Sequence, residues 1–95
     1  MNGLSMDVVN SAIVKARGVI DSKPQGEMDQ LYTTLDISPS ELSVYAQKNT
    51  LAFAQGLIDQ ELSMFVYNRL MNWHSATLAE RVVLTQVFLR LLAGR

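Results

Sequence analysis

Thr50 to Trp73, TLAFAQGLIDQELSMFVYNRLMNW, is the stretch whose reading decides the fold. It contains no proline, and placing its residues at the helical step of about 100° separates the apolar side chains onto two faces. Leu51, Ile58, Leu62, Phe65, Val66 and Trp73 share one stripe, about 80–100° wide, which is the width of a helix resting on a domain core. Phe53, Leu57, Met64, Tyr67 and Met71 fall on the opposite side, and Leu57, Met64 and Met71 recur every seventh residue as a short heptad seam. The spacing therefore predicts one long central helix, about 36 Å from end to end at ~1.5 Å per residue. Its first face belongs to the core. Its second face must be covered either by the rest of the chain or by another protein.

The surrounding composition sharpens that choice. With 95 residues the chain has the length of one domain, residues 1–95, and a core of modest size. Hydrophobic residues make up 48% and charged residues 18%, against about 25% charged in an average soluble domain. Part of the apolar surplus is thus expected at the surface or in an interface. Eight Lys+Arg against nine Asp+Glu leave a net charge of −1, which offers no general attraction to nucleic acid or anionic lipid. The absence of cysteine excludes disulfides, thiolate metal sites and cysteine nucleophiles. Met1 to Asp7 lacks the features of a secretory signal, and no run approaches the ~18 apolar residues of a membrane span. The expectation is a soluble, cytoplasmic protein.

Outward from the central stretch the pattern stays helical. Residues 1–4 are expected to be disordered. Met6, Val9, Ile13, Ala16 and Ile20 mark a first helix from Ser5 to about Asp21, and DSKPQG then supplies a loop. Met28, Leu31, Tyr32 and Leu35 mark a short second helix over Glu27 to Leu35. Ser38-Pro39-Ser40-Glu41 is a capping box with proline at the first helical position, bracketed by Ile37 and Leu42 as a hydrophobic staple. The helix it opens carries Leu42, Tyr45 and Ala46 inward, and the polar run Lys48-Asn49-Thr50 predicts a break or bend at Asn49 before the central helix. Gly56 then lies inside that helix at a cost of about 1 kcal/mol relative to alanine. After a turn at Asn72 to Ser75, Thr77-Leu78-Ala79-Glu80 forms a second capping box. The helix that follows is apolar almost all round, from Leu78 to Leu92, and Gly94 stands where a C-cap glycine belongs. The fold class is all-α: a small bundle of four to five helices with a long central helix.

Chemistry is sparse in this pattern. His74 is the only histidine, and no carboxylates accompany it at a ligand spacing. Asp36 and Glu41 each have a capping role, so they do not form a general acid–base pair. No catalytic, cofactor-binding or metal-ligating residue is therefore nominated, and the chain is not expected to be an enzyme. Arg69 falls on the core stripe between Phe65 and Trp73, where it either lays its stem over apolar surface with a solvated head or pairs across an interface.

Gln30 to Tyr45, QLYTTLDISPSELSVY, resembles the helix-turn-helix of DNA-binding regulators, with Leu31, Leu35, Ile37, Leu42 and the SPS turn matching its skeleton. The resemblance implies a recognition helix after Ser38. In this sequence Tyr32 replaces the usual small residue, Asp36 replaces the turn glycine, and the would-be recognition helix offers Glu41 and no arginine before Lys48. Two functions follow as expectations. The first is a non-enzymatic protein–protein interaction module that forms a homodimer, or binds a larger protein partner, through Phe53, Leu57, Met64, Tyr67 and Met71. The alternative is a helix-turn-helix regulator using residues 30–45.

Overall fold

The structure, a computed structural model, describes residues 4–93, with side chains described as far as Arg90. Five α-helices follow one another: α1 Met6–Asp21, α2 Gln25–Thr34, α3 Pro39–Ala54, α4 Gln60–Met71 and α5 Leu78–Ala93, with a single 3-10 turn Trp73–Ser75 ahead of α5. No strand occurs among the described residues. The class is thus the small all-α bundle that the hydrophobic spacing calls for.

The helix starts lie where short-range chemistry puts them. Ser5 caps α1 by accepting from the Val8 amide at 3.4 Å. Both capping boxes form. The Glu41 amide donates to Ser38 Oγ at 3.3 Å, and the Ser38 amide donates back to Glu41 Oε1 at 3.1 Å. The Glu80 amide donates to Thr77 Oγ1 at 3.2 Å, and the Thr77 amide to Glu80 Oε1 at 2.9 Å. Each box satisfies amides that the first helical turn would otherwise leave unpaired.

The stretch Thr50 to Trp73 departs from the single helix that its periodicity predicts. No break occurs at Asn49; α3 runs through it to Ala54. The break falls at Gly56, whose φ of +75° is the left-handed conformation that glycine adopts without steric cost. The Gly56 amide donates to the Phe53 carbonyl at 3.1 Å and the Leu57 amide to the Ala52 carbonyl at 2.9 Å, the two bonds of a Schellman C-cap. Asp59 then starts α4 by accepting from the Leu62 amide at 2.8 Å. A stop signal and a start signal three residues apart turn the expected central helix into an αα-hairpin.

Two further expectations change with it. Leu51, assigned to the inner stripe, is 52% exposed. The core face of α3 continues instead from Leu42, Tyr45 and Ala46 through the buried Asn49 and Ala52, which puts Leu51 on the far side. Leu4, expected to be disordered with the residues before it, pairs as a short parallel bridge with Ile58: its amide donates to the Leu57 carbonyl at 2.8 Å, and the Asp59 amide donates to its carbonyl at 3.2 Å. The rest of that expectation, residues 1–3, lies outside the described residues, as does the expected cap at Gly94.

The central place is taken by α5, which packs against α1, α2 and α3. Leu84 and Phe88 on α5 and Leu62, Val66 and Leu70 on α4 are the largest side chains fully withdrawn from solvent. Phe88 stacks on Tyr45 of α3, with ring centroids 4.5 Å apart. The Trp73 indole lies in the same core and donates through Nε1 to the Leu35 carbonyl at 3.1 Å, anchoring the end of α2.

Candidate interaction surface

One turn of arithmetic separates the two faces of α4. Leu62, Val66 and Leu70, at steps of four, point into the core. Met64, Tyr67 and Met71, at i, i+3 and i+7, point away from it and are 64%, 54% and 53% exposed. Gln60, Glu61 and Asn68, also exposed, border the three apolar side chains. Large apolar residues are also exposed elsewhere, among them Val14 and Val19 on α1 and Val44 and Leu51 on α3; the α4 face is the one that sets three of them on one helix surface opposite a fully buried one.

The remaining two residues of the expected seam divide. The Asn49 side-chain amide donates to the Ser63 carbonyl at 3.0 Å. That contact sets the register of the hairpin and brings Phe53, four residues further along α3, level with Asp59 at the start of α4. Phe53 is 45% exposed, on α3 rather than α4. Leu57 is half-buried and packs on the core, because it belongs to the turn between the helices and not to a continuous heptad. The structure therefore brings Met64, Tyr67 and Met71 onto one face, leaves Phe53 exposed on α3, and turns Leu57 inward.

Arg69 finds its partner within the chain. Its Nη2 is 3.2 Å from Glu80 Oε2, and its guanidinium lies 4.6 Å from the centroid of the Phe65 ring. Burial alone would raise the Glu80 pKa. The hydrogen bond from Arg69, the Thr77 amide, the charge of Arg69 and the Thr77 side chain together outweigh it, and the carboxyl is held below its ordinary value. This pair ties α4 to the first turn of α5.

Arg81 is the residue that sequence reasoning missed. Only 6% of it is exposed. Nε donates to the Ala76 carbonyl at 3.3 Å and Nη2 to the His74 carbonyl at 3.2 Å. Its guanidinium carbon also lies 4.9 Å from the Tyr32 ring centroid and 5.7 Å from that of Trp73. The guanidinium replaces water with carbonyls and aromatic faces, and so pins the 3-10 turn onto α5. The available signal was positional: Arg81 stands three residues before Leu84 and seven before Phe88, on the buried stripe.

The other polar candidates have local roles. Asp36 accepts from the Ile37 amide at 3.0 Å, and His74 is exposed in the 3-10 turn. Among the described residues, no three His, Asp or Glu side chains are grouped so as to hold a metal ion. The groove between α1 and α5, lined by Val8, Ala12, Val83 and Val87 with Arg90 at its rim, holds about 220 Å³, less than the ~300–1,000 Å³ of small-molecule pockets. No helix among the described residues is long and apolar enough to cross a membrane.

Residues 30–45 do form helix, turn and helix, but α2 packs chiefly on α5. The exposed positions of α3 include Ser43, Val44, Gln47, Thr50 and Leu51, and Lys48 is half-buried. Against known proteins, no family model, no curated protein and no solved structure gives a significant match to the chain.

Proposed function

We propose that this protein is a non-enzymatic, cytoplasmic interaction module that associates with a second copy of itself through the outer face of α4. The observation that carries this reading is the alignment of Met64, Tyr67 and Met71, each more than half exposed, on a helix whose opposite face is fully buried. Removing such side chains from water contributes about 25 cal/mol per Å² of apolar area. Methionine and tyrosine also suit a surface that is alternately wet and covered, since one adapts its shape and the other keeps a polar tip. A second copy fits because its interface would be self-complementary.

The helix-turn-helix reading has less to support it. Duplex binding draws its affinity from Lys and Arg on phosphates, and the exposed residues of α3 named above supply none. No duplex binding is expected in gel-shift assays at physiological salt.

Met64→Glu tests the proposal. A charge at the centre of a self-association surface separates the copies and leaves each folded. Light scattering should show a wild-type dimer and a mutant monomer, with the helical circular dichroism of both alike. A wild type that stays monomeric at high micromolar concentration, or a mutant that unfolds, removes the proposal.

A further inference from the structure

We propose that Gly56 is the hinge of a domain exchange: when the turn straightens, two chains trade their α4–α5 halves and rebuild between them the helix contacts of the single chain. Among the described residues, the helix pairs with extensive packing all cross this turn: α1 with α4 and α5, α2 with α5, and α3 with α4 and α5. No pair within α1 to α3 packs to that extent, and neither does α4 with α5. The specific contacts divide in the same way. Tyr45 stacks on Phe88, Asn49 donates to the Ser63 carbonyl, Trp73 donates to the Leu35 carbonyl, and Arg81 lies over the Tyr32 ring. The Arg69–Glu80 pair belongs to the second half and travels with it. Each half is thus the complement of the other, and an opened chain meets the same complement in a second copy, which is the condition for exchanging an identical element between protomers.

One residue decides between the two forms. Among the described residues, Gly56 alone has a positive φ. The stretch around it, Gln55 to Asp59, contains no proline, and the spacings of Leu51 to Ile58 and of Phe53 to Leu57 are those of one helix. The closed turn leaves that spacing unused. A straight helix from Pro39 to Met71, about 50 Å long at ~1.5 Å per residue, restores it, and the turn's own backbone groups then pair along the helix. Holding the chain closed are the burial of Ile58, which is 3% exposed, and its bridge to Leu4. The packing of α4 is the same in both forms and keeps Met64, Tyr67 and Met71 outside, so the exchange is independent of the association proposed above.

Gly56→Ala tests the hinge. Alanine is strained at a φ of +75° and is favoured over glycine inside a helix. Both effects act in one direction and at both hinges of the pair, so the dissociation constant of the exchanged dimer should fall about a thousandfold. Gly56→Asn, whose side chain tolerates the left-handed conformation, should stay closed. Equal amounts of isotope-labelled and unlabelled Gly56→Ala chains are refolded together at high concentration. Light scattering should then give a dimer, and isotope-filtered NMR should show through-space contacts between Tyr45 of one chain and Phe88 of the other, which closed chains meeting on α4 do not produce. Adding Met64→Glu to Gly56→Ala should leave these interchain contacts in place, whereas Met64→Glu in the wild-type chain judges the α4 surface separately. Alanine chains that are monomeric, that are unfolded at every concentration, or that dimerise with the Tyr45–Phe88 contacts confined to each chain overturn the exchange. Interchain contacts as strong in Gly56→Asn as in Gly56→Ala overturn the assignment of the hinge to Gly56.

Discussion

The two faces of α4 carry similar amounts of apolar side chain and meet opposite fates. Leu62, Val66 and Leu70 are at most 1% exposed, while Met64, Tyr67 and Met71 are all more than half exposed. Periodicity assigns residues to faces, but it does not say which face the rest of the chain covers. Side-chain chemistry adds the missing hint. The covered face is aliphatic throughout and packs to crystal-like density. The open face is built from methionine and tyrosine, which tolerate water and adapt to a partner.

The strongest way to break this contrast is at its buried side. Leu62→Ala should cost about 2–5 kcal/mol through lost burial and the cavity left behind, read as a lower midpoint in denaturant melts. A silent Leu62→Ala would mean that α4 is rotated from the position described.

Gly56→Ala tests the break that orients both faces, and it does so by sign. At a φ of +75°, alanine should destabilise by about 1–2 kcal/mol. In a continuous helix over Thr50 to Trp73 the same change would stabilise by up to about 1 kcal/mol. Nothing lies within 4 Å of an added Cβ, so packing does not blur the outcome.

Glu80→Gln probes the tie between α4 and α5. The partly exposed pair and the capping box together suggest a loss on the order of 0.5–1 kcal/mol near neutral pH. Because the folded-state pKa lies below the ordinary value, this stabilisation is present above the unfolded-state pKa and fades as pH falls through the folded-state one. Melts of wild type and Glu80→Gln taken down the acidic range should therefore converge; a gap that widens with acid would contradict the assignment. The smallest effect belongs to the open face: Met64→Ala, at a side chain 64% exposed, should shift stability in dilute solution by no more than about 0.5 kcal/mol.

How much of this was legible in the sequence follows from the range of the interactions. Both capping boxes were readable because donor and acceptor are three residues apart. The membership of Met64, Tyr67 and Met71 in one face was readable because all three lie on one uninterrupted helix. Leu57 and Leu51 were misplaced because the helical count was carried across Gly56, although Gly56 followed by Asp59 holds both a C-cap and an N-cap residue. Arg81 was passed over because an arginine is ordinarily exposed, and its shelter comes from Tyr32, Trp73 and two carbonyls that no local pattern groups together.

The bridge between Leu4 and Ile58 has a consequence for the order of assembly. The nearby contact between the Met6 amide and Asp59 Oδ2 spans 53 positions, whereas the α3–α4 hairpin closes across a turn of a few residues. Closing a loop costs more entropy as it lengthens, and distant contacts form slowly. The hairpin is therefore expected to form early and α1 to dock late, so that amide exchange should find α1 opening at lower free energy than α4. On that schedule the outer surface of α4 is already in place while the first helix is still unattached.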